Sequence, residues 1–259
     1  MLGPDEPAAF TVVNENGASP FFLVADHASN RVPRSLGRLG LPESAFSEHI
    51  AFDIGIAELS LEVAERLDAP LVMSNYSRLV MDMNRRHESP TRVVAESDGQ
   101  RVPGNEGLTP SAMRERTAAL FVPYHKAIRR LLHERHARHD ELRFVSLHSF
   151  TPRMANGDMR PWDVGVLWDQ DGGFAHPVIE AFRQNDSLTV GNNEPYSGKD
   201  PNGYTVATHA EAAAIANVLL EIRQDHLGDA AGIKRWSGLV CEALQTAYAG
   251  LNSSGSSVE

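Results

Sequence analysis

The stretch PFFLVADHASNRVP, residues 20–33, changes character once. Its first part, Phe21–Ala25, is an unbroken apolar run, the pattern of a buried strand. Its second part is polar and ends at Pro33, the pattern of a loop. In open α/β sheets functional groups gather just past the carboxyl ends of strands. His27 stands at such a place.

Outward from this segment, apolar runs alternate with helical patterns. Over 44–67 the positions Ile50, Ile54, Leu59, Leu61, Val63, Ala64 and Leu67 fall broadly on one side of a helix. Further strands are expected at 69–74 (APLVMS), 79–83 (LVMDM), 144–147 (FVSL), 163–168 (DVGVLW) and 203–209 (GYTVATH). Residues 110–139 read as a long helix or a pair broken at Pro123. A short helix is expected at 174–184 and an amphipathic closing helix at 229–249. The segment 217–222, NVLLEI, fits either an extension of the alanine-rich stretch before it or another strand; its branched and aliphatic residues suit the strand. Residues 88–109 form a long polar loop of the kind that often acts as a lid, and 192–203 (NNEPYSGKDPNG) a second loop. Residues 1–18 read as a lead-in and 251–259 (LNSSGSSVE) as a disordered tail. With no repeat and no linker, the expectation is one α/β domain over 1–259. Its centre is a mixed, mostly parallel sheet flanked by helices on both faces.

Composition narrows the function classes. An apolar share of 42% with 22% charged residues is that of a soluble globular chain. No stretch approaches the ~18 apolar residues of a membrane span. A net charge of −10 argues against a nucleic-acid binder. The basic run IRRLLHERHAR, residues 128–138, has its charges at helical spacing and reads as a solvated face. The acidic opening MLGPDEPAAF lacks the basic-then-apolar layout of a secretory signal. The single cysteine, Cys241 in LVCEAL, excludes an intrachain disulfide and reads as a small core residue. These features lead to the expectation of a cytoplasmic protein.

His148 follows the FVSL run as His27 follows FFLVA, and two histidines at neighbouring strand ends can share a zinc ion. Each could equally satisfy backbone groups in the core. Asp53, near a helix start in AFDIG, is a third ligand or a charge complementing the helix dipole. Asn30 is another ligand candidate, but reads better as a turn residue. Glu221, inside an apolar run, is a buried general base or the ion-pair partner of Arg223. Arg78, Asn84, Arg85 and Arg86 surround the 79–83 segment. They suit a substrate carboxylate, or pair with Asp82 and surface carboxylates. No G-x-S-x-G, phosphate loop, C-x-x-C or H-E-x-x-H is present to support serine, cysteine or zincin chemistry.

The motifs DHASNRVP, AFDIG, YSRLVMDMNR, PYHKAI, SLHSF, GYTVATHA and LLEIRQD, in this order, resemble the N-formylglutamate amidohydrolase family. The resemblance runs from about Phe21 to about Tyr248. That family is similar in fold to zinc carboxypeptidases and aspartoacylase-like deacylases. The resemblance implies zinc or another divalent metal on His27, Asp53 and His148. Asn30, at the glutamate position of the carboxypeptidase H-x-x-E, is the lesser candidate. It also implies Glu221 as base and Asn84-Arg85 as the carboxylate-binding pair, with Arg78, Tyr196 and His209 completing the substrate set. One feature departs from the deformylases proper, whose H-x-G-T-type loop is here His27-Ala28-Ser29-Asn30. The implied activity is hydrolysis of an N-acyl amide such as N-formyl-L-glutamate, to formate and glutamate. Alternatives are deacylation of another N-acyl amino acid or small peptide, or non-catalytic carboxylate binding. The expected partner is a small carboxylate substrate, with no nucleic acid and no membrane; the oligomeric state stays open.

Overall fold

The computed structural model describes residues 1–139 and 141–255. Its seven-stranded sheet contains β1 (Phe10–Val13), β2 (Phe21–Ala25), β3 (Leu71–Ser74), β6 (Arg143–Phe150), β7 (Val164–Leu167), β8 (Val190–Asn192) and β9 (Ala216–Arg223). The short strands β4 (Glu96–Ser97) and β5 (Gln100–Arg101) form a separate ribbon within the long loop. The order across the main sheet is β1-β3-β2-β6-β9-β7-β8. β3, β2, β6 and β9 run parallel, while β1 and β7 pair antiparallel with β3 and β9. The sheet is therefore mixed and mostly parallel. Every residue of β2, β3 and β7 is buried, which explains why these strands read as continuous apolar runs.

Helices cover both faces. On one lie α1 (Ile56–Leu67), α4 (Ala175–Arg183) and α6 (Ala230–Gly255), packed on Leu23, Val145, Leu147, Val218, Leu220 and Ile222. On the other lie α3 (Val122–His136) and α5 (Thr205–His209), against Phe22, Val24 and Phe144. Cys241 is buried within α6, as its spacing implied, and burial pushes its thiol up to about 11.

Several elements differ from the sequence reading. The lead-in contains β1, which closes the sheet edge. The 44–67 helix is shorter: α1 begins only at Ile56, after Gly55 at φ 75°. A Cβ at Gly55 would lie 2.4 Å from Leu227 Cβ, so the left-handed turn is tied to close packing there. The 110–139 stretch is α2 (Pro110–Arg116), a π turn over Thr117–Phe121, then α3. Pro123 has no N–H for the helical ladder, and the wider turn directly precedes it. Residues 79–83 are not a strand but a buried run of turns. Val80 N–H bonds Ser77 O, Leu79 N–H bonds Ser77 Oγ and Asp82 N–H bonds Arg92 O, so no neighbouring strand is needed. The GYTVATH segment is not a strand either. It forms α5, because Asn84 Oδ1 accepts the N–H groups of Tyr204 and Thr205 at the helix start. NVLLEI lies in β9. The closing helix runs past 249 to Gly255, into the stretch expected as a tail. A long helix propagates over weak formers once its packed body is in place. Residues 256–259 lie outside the described residues.

Candidate functional site

β2 and β6 are adjacent, so His27, just past one, and His148, near the end of the other, meet. Their ring centroids are 4.9 Å apart. Asp53 joins them because its N–H bonds the His27 carbonyl, tying the approach to α1 against the end of β2. Asp53 Oδ2 lies 2.8 Å from His148 Nδ1 and 3.4 Å from His27 Nδ1. One potential ligand atom from each of His27, Asp53 and His148 lies within 4.8 Å of the others, and all three residues are buried.

The second nitrogen of each imidazole faces a further buried aspartate. His27 Nε2 lies 2.8 Å from Asp82 Oδ1, and His148 Nε2 3.3 Å from Asp26 Oδ2. Carboxylates behind histidines in this way fix ring orientation in metal centres. The donor set suits a divalent ion. Two imidazoles and a carboxylate are zinc-type ligands, and His27 Nδ1 is buried with no hydrogen-bond partner.

The charges of the cluster support one another. Burial opposes ionisation of Asp53, but His27 and His148 outweigh it and hold the carboxyl well below its usual range. Burial and Arg78 oppose charge on His27, yet Asp82 and Asp53 raise its pKa. His148 is raised further: burial lowers it, but Asp26, Asp53 and Glu221 prevail. A metal ion competes with protons for these imidazoles, so its binding weakens as pH falls.

Glu221 pairs in register with His148 on the adjacent strand. It is buried and its Oε2 has no partner. Burial, reinforced by Asp53, pushes its carboxyl up to about 7 against the pull of His148, His27 and Arg78. Arg223 does not pair with it; its guanidinium reaches Asp163 at 3.1 Å and Asp225 at 2.8 Å.

A cavity of about 360 Å³ holds His27, Asp53, His148 and Glu221 together with Arg78, Asn84, Arg85 and Tyr196. Arg78 bridges the cluster's carboxylates, 3.3 Å from Asp53 Oδ1 and 3.0 Å from Asp82 Oδ2. Arg85 donates to the Asn84 carbonyl at 2.9 Å and is partly exposed to the cavity. The Tyr196 hydroxyl accepts from Arg160 Nη1 at 3.0 Å. Gly165, opposite Glu221 in β7, lets the 192–196 loop close in: a Cβ there would lie 2.1 Å from the Glu194 carbonyl oxygen.

Two expected residues stand elsewhere. Asn30 is exposed and donates to the Phe46 carbonyl, the role of a turn residue. His209 does not line the cavity; it is buried with its Nε2 3.0 Å from His125 Nδ1. Its move inward follows from α5 replacing the expected strand. Conversely, sequence reasoning passed over Asp26 and gave Asp82 only to the arginines. Adjacency of Asp26 to His27 was the one local signal.

A mixed α/β sheet thus carries a buried His-Asp-His group and a buried carboxylate near the ends of its central strands. A family profile described as N-formylglutamate amidohydrolase matches residues 19–227, and the chain belongs to that amidohydrolase family. A crystal structure of a gene product from Agrobacterium tumefaciens aligns with a TM-score of 0.93 and 33% identity, over 97% of this chain and 99% of that one. An N-formylglutamate amidohydrolase from Ralstonia eutropha aligns with a TM-score of 0.70 and 20% identity, over 93% and 97%. No curated protein matches the sequence. Among the described residues no helix is long and apolar enough to cross a membrane.

Proposed function

We propose that this chain is a metal-dependent hydrolase of N-acyl amino acids. The observation that carries the reading is the pairing of His148, in the buried His27–Asp53–His148 group, with Glu221, a buried carboxylate that has a free oxygen. Zinc or another divalent ion held by His27, Asp53 and His148 would polarise the amide carbonyl and acidify a water. Glu221, with a carboxyl poised near neutrality, takes the water proton and passes it to the leaving nitrogen. Asp82 and Asp26 hold the imidazoles in place. Arg85, with Asn84, holds the substrate carboxylate, while Tyr196 and Arg78 flank the reacting amide.

The test is hydrolysis of N-formyl-L-glutamate and N-acetyl amino acids by purified protein, before and after chelation and zinc return. Activity that chelation abolishes and zinc restores supports the proposal. Activity indifferent to both, or a metal-free protein that zinc does not activate, would overturn metal dependence.

A further inference from the structure

Two loops meet at Tyr196. One, residues 151–162, follows β6; the other, residues 193–204, follows β8. The first closes on itself. The Arg160 N–H donates to the Pro152 carbonyl at 2.8 Å, and Arg160 Nη1 to the Thr151 carbonyl at 3.2 Å. Arg223, at the end of β9, donates from Nη1 to the Trp162 carbonyl at 3.1 Å and so ties down the loop's exit. The guanidinium of Arg160 therefore stands on a fixed base.

The second loop is drawn in by two glycines. A Cβ on Gly165 would lie 2.1 Å from the Glu194 carbonyl oxygen, and one on Gly191 2.6 Å from it. Gly165 pairs with Glu221 across β7 and β9, so Glu194 lies one strand away from the general base. Asn193 Oδ1 accepts the N–H groups of Trp168 and Gly198, both at 3.0 Å, and closes the turn that carries Tyr196. Tyr196 lines the same cavity as Glu221 and Arg78.

The backbone of Tyr196 is held by its loop, but the side chain is 42% exposed. Its hydroxyl is held by Arg160, whose Nη1 lies 3.0 Å away and whose Cζ lies 5.0 Å from the ring centre. Among the described residues this is the one hydrogen bond of the hydroxyl. A guanidinium can only donate, so the phenol oxygen accepts and the phenol proton stays free. Burial and Glu221 raise the phenol's pKa against the pull of Arg160 and Arg78, so that proton is kept at neutral pH. The cavity thus holds a donor beside the base, aimed by a residue that does not line the cavity itself.

We propose that Arg160 is a positioning residue that aims the Tyr196 hydroxyl at the oxygen of the scissile amide. This rests on the hydrolase reading above. That oxygen gains negative charge as water adds to the amide carbon, and a donor already in place stabilises the charge without reorganising. The interaction is a hydrogen bond, and no proton changes owner. Without Arg160 the half-exposed phenol is free to take other rotamers.

The test is a double-mutant cycle of Tyr196→Phe and Arg160→Ala in the zinc-supplemented protein, on the substrate cleaved fastest among N-formyl-L-glutamate and N-acetyl amino acids. The readouts are kcat and KM per folded molecule and zinc content. Tyr196→Phe should lower kcat roughly 10²-fold, with KM within about twofold and zinc content unchanged. Arg160→Ala should lower kcat by roughly tenfold or more, yet cost nothing further in the Tyr196→Phe background. Arg160→Gln, closer in size, runs through the same cycle, so poor folding of the alanine variant does not decide the result. Equal losses from the Arg160 change in both backgrounds make Arg160 a structural residue and overturn the proposal. A rise in KM with kcat unchanged assigns the phenol to ground-state binding and overturns it too, as does zinc lost from Tyr196→Phe. With active wild type these outcomes leave the hydrolase reading standing. No cleavage of any compound by wild type overturns that reading and this proposal with it.

Discussion

The two faces of the central sheet are built on different physical terms. Under α1, α4 and α6 the contacts are mainly aliphatic and aromatic side chains such as Leu220, Phe182 and Val240. Such packing is non-directional, and its contribution follows the area buried. Under α3 and α5 apolar packing is interleaved with buried polar groups joined by directed hydrogen bonds. Asp26 Oδ1 accepts from Tyr124 at 2.8 Å and from Thr205 at 2.9 Å. His125 lies 2.9 Å from the Met83 carbonyl and 3.0 Å from His209. Removing one member of such a network strands its partner. One face is built to hold the fold, and the other to hold the histidines and carboxylates in one arrangement.

The largest expected effect tests the polar face where it meets the substrate. Glu221→Gln keeps size and removes the base, so kcat should fall roughly 10²–10⁴-fold with metal content and thermal midpoint near wild type. A fully active, metal-loaded glutamine variant would remove Glu221 from the mechanism. On the opposite face Leu220→Ala should cost about 2–5 kcal/mol of stability. Its kcat per folded molecule should hold, since Leu220 points away from the cavity. A denaturant melt with an activity assay on the folded fraction checks this, and a selective loss of kcat would dissolve the contrast between faces.

Asp82→Asn should act through His27. Zinc affinity, measured by chelator competition, should drop by roughly 10–100-fold; unchanged affinity would leave Asp82 a mere partner of Arg78. The mildest effect concerns His125 and His209. Burial, the main cause in both, lowers their pKa values to about 3 and about 4. The unfolded chain therefore binds protons that the folded chain refuses between these values and the ordinary histidine range near 6.5. Their stability contribution is complete above that range and is lost as pH falls through it, on the order of 1 kcal/mol each by pH 6. The thermal midpoint of wild type should fall more steeply from pH 7.5 to 6 than that of His209→Gln. Equal slopes would remove the pair from the acid response.

The sequence alone specified the parts of the molecule that depend on neighbours along the chain. Apolar runs long enough to be buried on both faces marked β2, β3, β6 and β7, while the run of β9 fitted a helix extension as well as a strand. Polar residues at the ends of those runs singled out His27 and His148, and an acid inside an apolar run singled out Glu221. Tertiary structure decided what depends on residues far apart. Asn84 is more than a hundred positions from Thr205, yet its side-chain oxygen starts α5 where periodicity indicated a strand. That helix then carries His209 inward to His125 and away from the cavity. Asp82 and Asp26 became supports of the imidazoles through contacts across 55 and 122 positions. Local periodicity records which face of an element is apolar. It contains no information about which distant polar group will satisfy a buried donor, because that pairing exists only once the elements have packed.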